Sequence, residues 1–349
     1  MKQKLLTVAI PAYNRPETIK HTLEILKGEN SDLFTVLVSD DSSTSAVEKV
    51  VKYYKETMPN LCYKKNLVNL GYSANVAQLY DLADTRYIWF LCDDDAVNQG
   101  AVTEILFALK KYEPVVAIFN CTWDDSFGRR LTAGVNSDIV YSDINVFDNY
   151  NVLMRMTFLS ILVVEKSIAL KCITNNPAYK DNIFIQLTLG LSLLSNRFKL
   201  CEISSDILHR NVGFRYGEFI KFVLVDHLKA VHFLPHKFDN QKFISWSIRH
   251  LPLAFKLYLT QKIGLFTYKG KPSKETLKTA NLYYGRYMII NSFLRSLSLA
   301  TPTFLIKGLY LLKLIQVHGS VKKGLSVYRR LVNRAITTDN RKTGFTSYR

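Results

Sequence analysis

Residues Leu5 to Ile10 are almost all apolar, and a short unbroken run of this kind reads as a strand covered on both faces in a parallel sheet. Pro11 is expected to end it. Asn14-Arg15-Pro16-Glu17 then supplies a helix start, with Pro in the first turn and Glu after it, and Ile19, Leu23 and Leu26 follow at helical spacing. The stretch from Gly28 to Asp32 closes that helix. A second apolar strand, Phe34 to Ser39, runs into Asp40-Asp41-Ser42-Ser43-Thr44, side chains suited to capping a helix that carries Val47, Val50, Val51 and Tyr54. The alternation continues with a strand near Leu61 to Lys64, a helix capped by Ser73 through Val76, Leu79 and Leu82, and a strand from Tyr87 to Cys92 that ends at Asp93-Asp94-Asp95. This pattern predicts an α/β fold, a Rossmann-like and mainly parallel sheet with flanking helices, whose ligand site lies beyond the carboxyl ends of the strands.

Composition and charge add a second region. The chain has 349 residues and is 48% hydrophobic, enough for a packed core and unlike a disordered chain. Its net charge of +17 is unevenly placed: residues 1–212 carry 22 basic and 24 acidic side chains, residues 213–349 carry 24 and 5. A near-neutral globular part joined to a strongly basic one points to an anionic partner, either a membrane face or a nucleic acid. Domain boundaries are expected at 1–212, 213–335 and, for a frayed tail, 336–349. From Phe219 onward, aromatic and aliphatic residues alternate with Lys and Arg at helix-compatible spacing. Arg286, Arg295, Lys307 and Lys313 interrupt every apolar run before it reaches the roughly 18–20 residues that span a bilayer. Amphipathic helices of this kind can lie on an anionic leaflet, each cation near the surface contributing on the order of 1 kcal/mol; a soluble helical bundle is the other reading. Five scattered cysteines make neither a zinc site nor a disulfide framework, and the short apolar amino terminus does not resemble a secretory signal, so an intracellular location is expected.

Three carboxylates at the mouth of an apolar strand, Asp93 to Asp95, read either as a solvated loop or helix cap or as a crowd of like charges that needs a cation. A divalent ion such as Mn²⁺ or Mg²⁺, taking one or two carboxylates plus diphosphate oxygens, suits hard oxygen ligands in this arrangement, and it would neutralise a departing nucleoside diphosphate. Asp40-Asp41 lies at another strand end, where a carboxylate can accept from a base N–H or a ribose hydroxyl.

At these residues the chain resembles the family 2 glycosyltransferases with the GT-A fold, in particular transferases of bacterial surface polysaccharides and O-antigens. The resemblance is carried by "TVAIPAYNRPETI", "VLVSDDSST", "NLGYSANVAQ" and "YIWFLCDDDAV", in that order. It implies transfer of a hexosyl or deoxyhexosyl group from a nucleotide-sugar donor. Pro11, Ala12, Tyr13 and Asn14 would shape the nucleotide pocket, Asp40 or Asp41 would contact the base, and Asn69, Gly71 and Asn75 would lie beside the nucleotide. Asp93 and Asp95 look like the outer carboxylates of a DxD motif, Asp95 for direct metal contact and Asp93 for ribose, donor sugar or metal, with Asp94 between them on the donor side.

Inversion at the anomeric carbon needs a carboxylate that takes the proton of the attacking hydroxyl. Asp181, ahead of an apolar helix with Ile185, Leu189, Leu193 and Leu194, falls where the family places this base; it also reads as a simple N-cap, and Asp124, Asp125, Asp138 or Asp143 are alternatives. The absence of a Gln-x-x-Arg-Trp signature argues for addition of a single sugar. "MTFLSILVVEKSI" resembles an acceptor-lining segment with Ser160 as a contact, or equally a plain core strand. His209, Arg210 and Arg215, in a loop with Gly213 and Gly217, could close over a diphosphate, with His209 completing the metal sphere. The expected partners are a nucleotide sugar, a saccharide or lipid-linked acceptor and the anionic inner face of the plasma membrane, on which the chain would sit peripherally. A non-catalytic nucleotide-binding protein of this fold, or a basic nucleic-acid-binding protein, is the alternative.

Overall fold

A computed structural model describes residues 4–93, 95–124, 130–143, 146, 150–167 and 184–210, together with 311–312, 320–322 and 325–326; of Arg210 it describes the backbone alone. The described residues up to Arg210 form one compact unit. Its first part follows the alternation read from the apolar runs. Strand β1 (Leu6–Ala12), helix α1 (Pro16–Lys27), β2 (Phe34–Asp40), α2 (Ala46–Lys55), β3 (Leu61–Lys65), α3 (Tyr72–Leu82) and β4 (Tyr87–Phe90) follow in order. Every residue of β1, β2 and β4 is buried, as strands covered on both faces must be. α1 turns Ile19, Thr22, Leu23 and Leu26 toward the sheet, the stripe expected at a 3.6-residue period.

The remaining elements are β5 (Ala96–Val97), α4 (Ala101–Tyr112), β6 (Val116–Asp124), β7 (Arg130–Ala133), β8 (Ile139–Tyr141), α5 (Tyr150–Met156), a 3₁₀ turn (Leu159–Ile161), β9 (Leu162–Glu165), α6 (Ile185–Asn196) and β10 (Leu200–Arg210). The strand order is β3-β2-β1-β4-β9-β6-β10-β5, with β7 on β6 and β8 on β10. β3, β2, β1 and β4 run parallel, as do β6 and β10. β9 lies antiparallel between β4 and β6, and β5, β7 and β8 are antiparallel additions.

Several local expectations shift. Pro11 does not end β1: the strand continues to Ala12, with Pro11 opposite Ser39. Odd-numbered residues of β1 bond toward β4, as the Ala9 carbonyl accepting from Leu91 N at 2.9 Å shows, and the β1–β4 ladder ends at Ala9. The N–H that Pro11 lacks therefore faces the side where no partner strand remains. Ser73 is not the cap of α3, which starts one residue earlier behind Gly71, and α2 begins after Ser45, whose side chain makes no cap bond, while Thr44 Oγ1 accepts from Ala46 N at 3.4 Å. β4 stops at Phe90 rather than Cys92, which frees the following residues to turn across the strand ends. The segment 156–168 divides: its first residue ends α5, the 3₁₀ turn follows, and β9 is a buried core strand. The basic region 213–335 and the tail 336–349 lie outside the described residues, apart from the few after 310. Among the described residues no helix is long and apolar enough to cross a membrane.

Candidate functional site

The chain winds outward from β1 through β2 to β3 and then returns to the other side of β1 at β4. A crevice forms where the order reverses, at the carboxyl ends of β1 and β4, and ligands of open α/β sheets bind in such crevices. The ends of β1, β2 and β4 converge here.

At the end of β2 the two adjacent aspartates have different surroundings. Asp40 is fully buried and satisfied: Oδ1 accepts from Ser42 N at 2.8 Å, and Oδ2 from Tyr63 Oη at 2.7 Å and Lys65 Nζ at 3.1 Å. Burial, reinforced by the Asp40 carboxylate, holds the Tyr63 phenol well above its ordinary range. Asp41 is also buried, but only Oδ1 is engaged, by Asn66 Nδ2 at 2.6 Å and Leu70 N at 3.2 Å. Asp41 Oδ2 has no hydrogen-bond partner among the described residues. Burial pushes the Asp41 carboxyl above its usual range, against the opposing pull of Asn66 and the backbone N–H groups of Leu70 and Gly71. A buried acceptor left open in this way is costly unless a ligand donor meets it.

The β1 end supplies Pro11 and Ala12, which face Ser39 and Asp40 across the ladder, and then a sharp exit. Asn14 adopts φ 52°, a left-handed conformation that Asn tolerates better than most residues. It is pinned there by Asn14 N donating to Ser42 Oγ at 2.7 Å and by Ser43 N donating to its side-chain oxygen at 3.2 Å. Tyr13 N donates to Asp93 Oδ2 at 3.2 Å across the crevice. Arg15, whose role the sequence does not reveal, forms an ion pair with Asp93 Oδ1.

Beyond β3, Asn69 Oδ1 accepts from Gly71 N at 2.8 Å, and Gly71 takes φ 80°, a turn glycine whose N–H also faces the Asp41 carboxyl. Asn75 is placed differently from Asn69. It is buried, accepts from Ser39 Oγ at 2.6 Å and donates to the Ser39 carbonyl at 3.1 Å, while Gln78 Nε2 bonds both Ser39 and Asn66. Asn75 and Gln78 thus anchor α3 to the end of β2.

After β4, Asp93 and Asp95 are both about 6% exposed, close enough to the surface for a ligand and shielded enough for strong electrostatics. Asp95 Oδ2 accepts from Ser160 Oγ at 2.6 Å. Ser160 itself is fully buried, so it does not act as an acceptor contact. Two buried carboxylates at one strand end fit a hard divalent ion that completes its sphere with diphosphate oxygens and water. Among the described residues no group of three or more His, Cys, Asp and Glu side chains forms a cage that would hold such an ion alone. His209 stands opposite Ala96 in the β5–β10 ladder, one residue past Asp95. Its ring meets Thr122 Oγ1 at 2.9 Å and Arg130 at 3.4 Å through Nδ1, and Asp124 at 3.7 Å through Nε2. Of the alternative bases, Asp138 is held by Ser204 N, Ser204 Oγ and Tyr112 Oη, bonds that outweigh its burial and keep its carboxyl below the usual range. Asp143 is exposed, and Asp124 is 42% exposed beside Arg130 and His209. Asp94, Asp125, Asp181 and Arg215, and the side chain of Arg210, lie outside the described residues.

A Rossmann-like sheet with carboxylates at the ends of β2 and β4 around its crevice defines the GT-A class of nucleotide-binding folds. Residues 7–168 match the model of glycosyl transferase family 2. A search of curated proteins gave no match by sequence. Among solved structures, S. aureus TarS is similar at 15% identity and a TM-score of 0.57, covering 94% of this chain; this chain spans 55% of that one. A TarS fragment in complex with UDP-GlcNAc is similar at 14% identity and a TM-score of 0.57, over 96% of this chain and 92% of that one. The mannosyltransferase PcManGT from Pyrobaculum calidifontis, in complex with GDP-Man and Mn²⁺, is similar at 16% identity and a TM-score of 0.51, over 95% and 88%. At these identities the likeness is one of fold.

Proposed function

We propose that this chain is a metal-dependent, inverting glycosyltransferase that moves a single hexosyl or deoxyhexosyl unit from a nucleotide sugar to a saccharide or lipid-linked acceptor in surface polysaccharide synthesis. The observation that carries the reading is the pairing, across one crevice, of the open Asp41 oxygen with the buried carboxylates Asp93 and Asp95. The family match over residues 7–168 and the UDP-GlcNAc and GDP-Man complexes of proteins with this fold support it.

In this reading Asp41 Oδ2 accepts an N–H of the nucleotide base, and Asn69 and Gly71 shape the turn against the base while Pro11 to Asn14 line the ribose side. Asp93 meets ribose or donor sugar from a position held by Tyr13 N and Arg15. Asp95, with Asp93, would hold Mn²⁺ or Mg²⁺; such an ion supplies positive charge against the charge that develops on the departing diphosphate. Asp181 takes the proton from the acceptor hydroxyl as that oxygen bonds to the anomeric carbon and the bond to the nucleoside diphosphate breaks. The role assigned to His209, Arg210 and Arg215 is contact with the diphosphate. The excess of cations after residue 212 supports peripheral docking on the anionic cytoplasmic face of the membrane, where a lipid-linked acceptor would be met.

The test is turnover. Purified protein with Mn²⁺ is offered UDP-, GDP-, CDP- and dTDP-sugars with a lipid-linked saccharide acceptor, and nucleoside diphosphate release is followed with product anomeric configuration by NMR coupling constants. Release with inversion, lost in Asp181→Asn, is expected; a retained configuration refutes the role of Asp181, and no release from any donor refutes the transferase reading.

A further inference from the structure

We infer that Ser160 is a positioning residue that sets the orientation of Asp95 for its ligand, an inference that rests on Asp95 meeting a divalent ion as proposed above. The backbone register explains how a residue 65 positions away arrives there. β9 runs antiparallel to β4 with Trp89 opposite Val163 and Ile88 opposite Val164. Extending that pairing past the end of β4 sets Cys92 against Ser160, in the 3₁₀ turn that leads into β9. Trp89 Nε1 donates to the Ser160 carbonyl at 2.8 Å, which fixes the turn against the strand.

The hydroxyl is then constrained at both ends. Ser160 Oγ accepts from Cys92 N at 2.9 Å, and a serine hydroxyl has a single hydrogen to give. That hydrogen goes to Asp95 Oδ2 at 2.6 Å, the length of a charge-assisted O–H···O⁻ bond. The direction of donation is therefore settled by the backbone: Cys92 N–H to Ser160, Ser160 O–H to Asp95. Ser160 is fully buried and Asp95 nearly so, so water does not compete for either bond. One carboxylate oxygen is thus anchored before any ligand arrives. Groups that orient metal-binding side chains in this way are worth about 10- to 100-fold in metal affinity when removed.

The experiment uses the full chain. Mn²⁺ is titrated against protein holding an excess of UDP, GDP, CDP, dTDP or ADP, and the Mn²⁺ concentration giving half of the nucleotide-dependent thermal shift is measured. Ser160→Ala is expected to raise that concentration about 10- to 100-fold, and Ser160→Thr, which keeps the hydroxyl, to bring it back toward the wild-type value. In an Asp95→Asn background Ser160→Ala should add nothing further, since coupled residues are not additive. A loss confined to packing would lower the melting temperature of the unliganded protein and leave the Mn²⁺ midpoint where it was; that result overturns the inference. Should Ser160→Ala fail to fold, Ser160→Cys, with its weaker donor, gives the same reading through an intermediate rise, and an unchanged midpoint in it overturns the inference. A wild-type protein that responds to a nucleotide without any Mn²⁺ dependence refutes instead the metal role of Asp95 itself.

Discussion

Asp40 and Asp41 are neighbours in sequence, chemically identical and both buried, yet they should respond in opposite ways to the same change. Asp40→Asn keeps an oxygen for Ser42 N but presents an amide N–H₂ to Tyr63 Oη and Lys65 Nζ, replacing an acceptor with a donor facing two donors. Bonds to a charged acceptor contribute about 1.5–3 kcal/mol each. The Lys65 side chain is 31% exposed, so its share is reduced by solvent. A loss of about 3–4 kcal/mol follows, a large part of a domain stability of about 5–15 kcal/mol. Asp41→Asn leaves the carbonyl oxygen to accept from Asn66 and Leu70 and removes a charge that burial already disfavours. Its stability should stay within about 1 kcal/mol of wild type, while nucleotide affinity falls about 10- to 100-fold with the charged acceptor gone. Urea unfolding followed by the fluorescence of buried Trp89, alongside nucleotide titration, separates the two. An unchanged unfolding midpoint in Asp40→Asn, together with full nucleotide affinity in Asp41→Asn, would refute the assignment.

Further outcomes follow from the same geometry. Because the Asp41 pKa is raised in the fold, the native state keeps a proton that the unfolded chain gives up, so unliganded stability falls as pH rises from about 4 through the folded value. Nucleotide affinity rises over the same window as the carboxylate forms, and paired pH titrations of wild type and Asp41→Asn should show both slopes flattening in the variant. Away from the crevice, Arg155 is buried against Glu202, and burial lowers its pKa while Glu202 opposes that shift. Glu202→Ala leaves that cation unpaired and should cost about 3–5 kcal/mol in chemical denaturation, with the nucleotide affinity of the folded fraction retained. Gly71→Ala meets no atom within 4 Å and should cost about 1–3 kcal/mol for a backbone at φ 80° and ψ 160° that is nearly confined to glycine. Gly134→Ala would set its Cβ 1.5 Å from Asn120 Oδ1, and should unfold at clearly lower urea than Gly71→Ala.

The parts of this fold that were legible in the sequence are those whose signal is local. β1, β2 and β4 are buried on both faces, so each is a plain apolar run, and each ends in polar residues that the chain cannot bury without partners. That was enough to bring Tyr13, Asp40, Asp41 and Asp93 to one edge of the sheet. The division of labour between Asp40 and Asp41 was not legible, because it depends on Tyr63, Lys65 and Asn66, which reach the pair only once β3 is docked on β2. Ser160 lay hidden for the same reason. Nothing in "TFLSILV" signals that β9 will insert antiparallel beside β4, and only that register brings the hydroxyl to Asp95. Arg15 has a weak signal in hindsight: it stands just past β1, and β1 neighbours β4 in any sheet of this winding. Pro11 misled because its missing N–H faces a gap in the ladder, a fact of pairing rather than of composition.

The central claim is that one crevice binds a nucleoside diphosphate through Asp41 and a divalent ion through Asp95. The most direct measurement is thermal stability of the purified chain against UDP, GDP, CDP, dTDP and ADP, each with and without Mn²⁺ or Mg²⁺, beside Asp95→Ala. A ligand confined to the native state stabilises it by about 2.7 kcal/mol at a hundredfold excess over its dissociation constant. The account predicts a metal-dependent rise with one of these nucleotides that Asp95→Ala abolishes; no rise with any of them, with or without metal, would contradict it.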